Sequence, residues 1–285
     1  MLGIVIVSYH SDDLTVRFVR GQLSSVRIPH RIVVVDNGVG EGKDSPLSRF
    51  LPEAVVLTMD NKGFAAANNK GAEWLREHCP VDEILFTNND IRMETEDVLE
   101  LMSAKLNEDE RIGMVGPEVV GLDGRRQSPE GYMGLWKRYV WMYLSTPFLS
   151  RKGKERLFGL KYAESAKEGP HYRLSGSFFM MRSEDFYRIG MMDEGTFLYA
   201  EENILSERLK RIGNVCDFYP VVQVVHEHSL TIDKSYDLTG KLKLQYASNA
   251  YCYQKYRNYS ATECRIVGGL FGIILYFKLS AVKNH

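Results

Sequence analysis

EILFTNND, from Glu83 to Asp90, is a short apolar run that ends in Asn88-Asn89-Asp90. An apolar run of this length closed by Asn and Asp predicts a buried strand running into a polar turn. Two earlier segments end the same way. GIVIVSY (Gly3 to Tyr9) reads as a buried strand ending in Ser8-Tyr9-His10, and RIVVVDN (Arg31 to Asn37) as another ending in Asp36-Asn37-Gly38. Each end alone is an ordinary turn. Helical patterns lie between the strands, and such alternation predicts an α/β fold with a mostly parallel central sheet flanked by helices. Ligands of open α/β sheets bind beyond the carboxyl ends of the strands, so three polar strand ends on one edge mark a binding edge.

The remaining elements fall into line around these. A helix is predicted from about Asp12, with Leu14, Phe18 and Leu23 on one side, and AVVLTM (Ala54 to Met59) is a third strand. KGFAAANNKGAEWL (Lys62 to Leu75) opens with a tight turn and continues as a helix. A helix from roughly Glu96 to Leu106 and a strand at Ile112 to Val120 follow. From Gly121 to Gly169 the periodicity is lost, which reads as an insertion or mobile loops. Regular structure resumes at RLSGSFFMMR (Arg173 to Arg182), with strands around Val215 to Val225 and a helical tail from Lys241. The simplest organisation is one domain over residues 1–235, with 121–169 as its irregular insertion, and a C-terminal helical extension over 236–285.

Bulk composition sets limits. The chain has 285 residues, 44% hydrophobic and 26% charged, with a formal net charge of -1. That suits one large α/β domain and argues against a dedicated nucleic-acid binder. Cys79, Cys216, Cys252 and Cys264 are scattered without metal spacing and read as reduced thiols of a cytosolic protein. MLGIVIVSYH lacks the basic start and cleavage site of a secretory signal. IVGGLFGIILYF (Ile266 to Phe277), uncharged between Arg265 and Lys278, is too short to span a bilayer. It either rests on a membrane surface or packs on the protein or a partner. GVGEGKDS (Gly38 to Ser45) is not a phosphate loop, because Asn37 replaces its first glycine and Asp44 its Ser or Thr. Nor do its glycines fit a dinucleotide fingerprint.

FLYAEENILSER (Phe197 to Arg208) places two glutamates at a helix start. On a helical wheel Ile204, Leu205, Leu209 and Ile212 form an inward stripe, with Glu201 near its centre, Glu202 about 70° to one side and Asn203 outward. Both acids lie in the first turn, where the helix dipole stabilises negative charge.

VIVSYHS, VVVDNG, NKGFAAANNKG, LFTNND and GSFFMMR…GMMDEGTFLYAEEN, in that order over roughly residues 2 to 230, resemble a family 2 glycosyltransferase with the GT-A (nucleotide-diphospho-sugar transferase) fold. The similarity is greatest to members that build bacterial surface polysaccharides, including rhamnosyltransferase-like ones. The resemblance implies inverting transfer of a hexosyl or deoxyhexosyl group from a nucleotide-diphosphate sugar, with a divalent metal, magnesium or manganese. It places Tyr9 near the base and Asp36 on base or ribose. Asn61, Gly63 and Asn68 would shape the turn and helix start facing the donor phosphates, unless they simply cap that helix. Asn88-Asn89-Asp90 occupies the family's D-x-D slot. Asp90 matches the metal-binding acid, while Asn88 stands where an Asp often sits and adds no charge. Asn89 falls in the same donor-binding group. His226 is favoured as a metal or diphosphate ligand over His228, which alternation puts on the same face. Glu202 matches the family's base, one methylene longer, and Glu201 orients a hydroxyl. The wheel alone prefers Glu201. Ile204 replaces an acid frequent in the family. Asp193 and Glu194 are expected to line the acceptor cleft, and Gly176, within Ser175-Gly176-Ser177, to border donor sugar or acceptor.

Two other functions compete. One is a GT-A binding module without chemistry, suggested by Asn88 and Ile204. The other is a nucleotidyltransferase, which wants a glycine-rich basic loop that SYHSDDL does not offer. The acceptor is expected to be a glycan or lipid-linked glycan. It would be chosen by the 121–169 stretch, with Trp136, Lys137, Arg138, Tyr139 and Trp141, from a cytoplasmic position with peripheral contact at the inner membrane face.

Overall fold

The structure, a computed structural model, describes residues 1–159, 166–227 and 238–283. Among the described residues nine strands form one sheet: β1 Leu2–Ser8, β2 His30–Asn37, β3 Val55–Met59, β4 Glu83–Asn88, β5 Ile91–Met93, β6 Ile112–Gly121, β7 Gly169–His171, β8 Phe178–Arg182 and β9 Val215–His226. Their order is β3-β2-β1-β4-β8-β6-β9-β5, with β7 beside β9. The pairs β1–β2, β1–β4, β2–β3 and β6–β9 are parallel, while β8 runs antiparallel between β4 and β6. The four N-terminal strands are the Val- and Ile-rich runs of the sequence. Three of them, β1, β2 and β4, are buried on both faces and have the continuous apolar character of parallel strands, while β3 is the half-buried edge strand.

The helices are α1 Asp12–Arg17, α2 Leu47–Phe50, α3 Phe64–His78, α4 Val98–Leu106, α5 Met142–Ser145, α6 Arg151–Phe158, α7 Ser183–Arg188, α8 Glu201–Arg211, α9 Leu238–Tyr256 and α10 Ala261–Lys283. Strand alternation divides the core into two layers. Ile4, Ile6 and Val34 pack with Phe18, Leu99 and Met102 on one face. Val5, Val35 and Phe86 pack with Ala65, Phe186 and Leu205 on the other. The helix α3 comes close to the sheet because Gly71 has no side chain. A Cβ there would lie 2.6 Å from a methyl of Val5.

The stretch from 121 to 169 departs from the expectation of loops. Lys137–Trp141 is a π-helical turn continuing into α5, and α6 follows. Tyr139 and Val140 are buried against Tyr253, Val267 and Phe271 of α9 and α10. Aromatics without a clean period were here the sign of an irregular helix packed on a partner absent from the local sequence. Of the residues expected at an acceptor surface, Tyr139 is interior and Arg138 is largely covered, pairing with Glu130 at 2.7 Å. Trp141 remains 60% exposed.

The strand β9 is long because its pairing with β6 slips. Pro117 faces Tyr219, but the next residue, Glu118, faces Gln223. Beyond this irregularity β9 continues to His226, opposite both Gly121 of β6 and Ile91 of β5. The slip carries a histidine to the carboxyl edge of the sheet.

Candidate active site

The pairing of β5 with β9 brings Asp90 and His226 together. The Glu227 backbone N–H donates to the Asp90 carbonyl at 2.9 Å, and His226 Nε2 lies 3.3 Å from Asp90 Oδ1. Asp90 is buried, and among the described residues neither of its carboxylate oxygens accepts a hydrogen bond. A buried carboxylate in that state is costly unless something cationic completes it. His226 Nδ1 contacts Gln127 Oε1 at 2.9 Å, which orients the ring and leaves Nε2 toward Asp90 and Asn88, whose Nδ2 is 3.4 Å away. No local pattern pointed to Gln127. His228 lies outside the described residues. Within them no group of three or more acidic, His or Cys side chains gathers. A magnesium or manganese ion here would have two protein ligands and draw the rest from phosphate and water, the usual arrangement for these cations.

Ser175-Gly176-Ser177 links this acid to the helix that starts at Glu201. The Asn88 N–H donates to the Ser177 carbonyl at 2.9 Å. On the other side, a Cβ on Gly176 would sit 3.7 Å from Glu202 Oε2. The bare backbone of Gly176 therefore borders Glu202. Behind it, Glu202 pairs with Arg173 Nη1. Arg173 also reaches Glu130 Oε1 at 2.7 Å, and Glu130 is held in turn by Arg138. Burial opposes the charge on Arg173, but Glu130 and Glu202 outweigh it and hold the guanidinium protonated. Residues 130 and 173 also pair through their backbones. This chain of alternating charge was invisible in the sequence, where Arg173 appeared only as the first residue of a strand-like run.

The two neighbouring glutamates thus have different surroundings. Glu201 is 5% exposed with one unpartnered oxygen, and burial plus the adjacent Glu202 push its pKa up to about 8. In the unfolded chain it titrates near 4.5. Between those values the unfolded chain has released this proton and the folded one has kept it, so stability falls as pH rises across that window. Glu201→Gln should remove the loss. The variant should be more stable than the parent at pH 8, by on the order of a few kcal/mol, with the difference shrinking toward pH 5 in denaturant melts.

Two non-glycine residues with left-handed backbone, Tyr199 (φ 73°) and Ala200 (φ 74°), lead into α8. Strain of this kind persists where surrounding structure holds it. Here the Phe197 carbonyl accepts from the Phe64 N–H at 3.0 Å, tying the start of α8 to the start of α3. Gly63 makes that contact possible. Its φ is 101°, and a Cβ would lie 2.3 Å from the Phe197 carbonyl oxygen. Gly63→Ala should therefore cost about 2 kcal/mol or more in a chemical melt and displace both helix starts.

On the nucleoside side, the Tyr9 ring lies over Gly38, and Asp36 is buried with Ser45 Oγ donating to it at 2.5 Å. Burial raises the Asp36 carboxyl above its ordinary range. Several expected ligand residues instead hold the frame. Asn61 Oδ1 accepts from Asn37 and from the Gly63 N–H, which builds the turn. Asn89 donates to Ser11 and Thr15, pinning β4 to α1. Asn68 donates to the Phe64 carbonyl, while its own buried Oδ1 has no partner among the described residues. Asn69, not singled out in the sequence, bridges to the Met192 backbone and to Glu194.

Three expectations for this region are corrected. Asp193 is buried and engaged by Tyr251, Lys255 and Tyr256 of α9, so it ties the loop to that helix and offers no free cleft acid. Burial alone would raise its pKa, but hydrogen bonds from Lys255 and Tyr256 outweigh it and hold the carboxyl well below the usual range. Asn203 is buried against Asn249, because α9 covers the side of α8 that the wheel assigned to solvent. Ile204 packs on Cys252 and Tyr256. An apolar residue at that position fills core and says nothing about lost chemistry.

The sheet, with β8 reversed between β4 and β6 and an acid just beyond the end of β4, has the GT-A fold. Among solved structures it superposes on GalNAc-T7 with UDP, GalNAc and Mn2+ at a TM-score of 0.60 and 16% identity, over 90% of this chain and 49% of that one. It also matches the mannosyltransferase PcManGT from Pyrobaculum calidifontis, in complex with GDP-Man and Mn2+, at 0.58 and 12%, over 98% and 75%. In sequence it is similar to the N-acetylglucosaminyl-diphospho-decaprenol L-rhamnosyltransferase of Mycobacterium tuberculosis. The two are 26% identical over 269 residues, covering 86% of this chain and 83% of that one. No family model matches the chain.

Proposed function

We propose that this chain transfers a hexosyl or deoxyhexosyl group, with inversion, from a nucleoside-diphosphate sugar to a hydroxyl of a glycan or lipid-linked glycan in surface polysaccharide synthesis. The observation that carries the reading is Asp90, a buried carboxylate with no hydrogen bond to either oxygen and His226 Nε2 3.3 Å away. A donor diphosphate with its divalent cation supplies what that site lacks. Similarity to a rhamnosyltransferase acting on a lipid-linked sugar favours such an acceptor, reached at the inner face of the cytoplasmic membrane.

In this reading Tyr9 and Asp36 receive the nucleoside, with Asn61, Gly63 and Asn68 shaping the turn beside it. Asn88 lies against His226 as a neutral hydrogen-bonding group. Asp90 and His226 hold magnesium or manganese, which when bound offsets charge on the departing diphosphate. Glu202 takes the proton of the acceptor hydroxyl as its oxygen bonds to the anomeric carbon and the bond to the diphosphate breaks. The nucleoside diphosphate leaves from the opposite face. Gly176 keeps the approach to Glu202 open, Arg173 fixes the carboxylate, and Glu201 holds its proton and fills the helix start.

Thermal-shift measurements across nucleotide sugars, with and without manganese, test the reading. One donor class should raise the melting temperature by several degrees only when manganese is present, and Asp90→Asn should abolish that shift. Equal shifts without metal would remove Asp90 from the role.

A further inference from the structure

The helix α10 has two apolar faces. Val267, Phe271 and Leu275 are buried against the 135–143 segment and α9. Ile266, Leu270, Ile273 and Phe277 repeat at helical spacing on the other side and are 51%, 39%, 56% and 67% exposed. Buried packing therefore explains only one face. The segment beside it repeats the pattern. Tyr139 and Tyr143 pack on the Phe271 ring, while Trp141, Leu144 and Phe148 are 60%, 47% and 88% exposed. Two packed helical segments thus each present an apolar stripe to solvent. Scattered exposed apolar residues are normal, but apolar stripes on two adjoining helical segments mark an interaction surface.

Charge selects the partner. The whole chain has a formal net charge of -1. Yet from Cys264 to Lys283 it has Arg265, Lys278 and Lys283 and no acidic residue. The helix α6, whose Phe158 packs with Met142 of the neighbouring segment, adds Arg151, Lys152, Lys154 and Arg156 with Glu155 as its one acid. Lys278 lies over the Tyr143 ring, between the two segments. Aromatic and aliphatic residues flanked by cations fit the boundary between headgroups and acyl chains of an anionic bilayer. No helix among the described residues is long and apolar enough to cross a membrane, so contact would be with its surface.

We infer that the outer stripes of α10 and the 141–148 segment form a docking surface for an anionic lipid bilayer. The surface is read from exposure and charge and does not depend on the donor or base assignments. Vesicle flotation tests it. Wild-type protein should float with phosphatidylcholine vesicles containing about 30% phosphatidylglycerol and much less with phosphatidylcholine alone, and salt should weaken the partition. Ile273→Asp with Phe277→Asp should lower it by about tenfold or more, with an unchanged melting temperature because both residues are exposed. Donor binding serves as a separate readout and should be the same in both proteins. Absence of flotation with anionic vesicles, or equal flotation by the variant, would overturn the inference. So would a solution dimer that the variant dissolves without any vesicle binding, which would assign the stripes to a second copy of the chain.

Discussion

Glu202→Gln should abolish sugar transfer, lowering turnover about 10²–10⁴-fold, while donor affinity changes by no more than a few-fold. The amide still accepts a hydrogen bond from Arg173 and has nearly the same volume, so the ion-pair chain behind it loses charge but not shape. What it loses is the ability to take a proton. The matching experiment on Glu201→Gln separates the neighbours. Glu201 is buried and keeps its proton toward pH 8, so its amide variant should retain most activity and gain stability in alkali. Full turnover by the Glu202 variant and a dead Glu201 variant would reverse the assignment.

Arg173→Met should destabilise the protein by about 3 kcal/mol, because it removes the cation from a largely buried array and leaves Glu202 beside Glu201. For a chain of this size that lowers the melting temperature by on the order of 10 °C. Arg173→Lys distinguishes positioning from bulk stability. An ammonium keeps the charge but cannot hold Glu130 and Glu202 at once with a planar fork. It should recover much of the melting temperature while turnover stays at least about tenfold down and the donor KM is unchanged. Recovery of stability and turnover together would reduce Arg173 to a structural role.

The sheet was legible because buried strands announce themselves. The runs ending at Ser8, Asn37, Met59 and Asn88 carry continuous Val, Ile and Leu, and the structure bounds them within a residue or two of the reading. Asp90 and Glu202 were legible as acids where an apolar run stops or a helix starts. Long-range pairing was not. Arg173 and Glu130 are 43 positions apart in sequence, Arg138 sits in an irregular helical turn, and no local period connects them. The same blindness misjudged Asn203 and Asp193. Both look solvent-facing or cleft-facing until α9, some 50 residues later, closes over them. Gln127, the partner of His226, lies in a stretch that local reasoning could only describe as loop.

Nucleoside diphosphate release from a panel of nucleotide sugars, measured with manganese on wild type and Asp90→Asn, tests the central claim most directly. A single donor class should be turned over by the wild type, faster when a lipid-linked or glycan hydroxyl acceptor is added, and the Asp90 variant should fall to background. No release from any donor, or release undiminished by Asp90→Asn, would contradict the account.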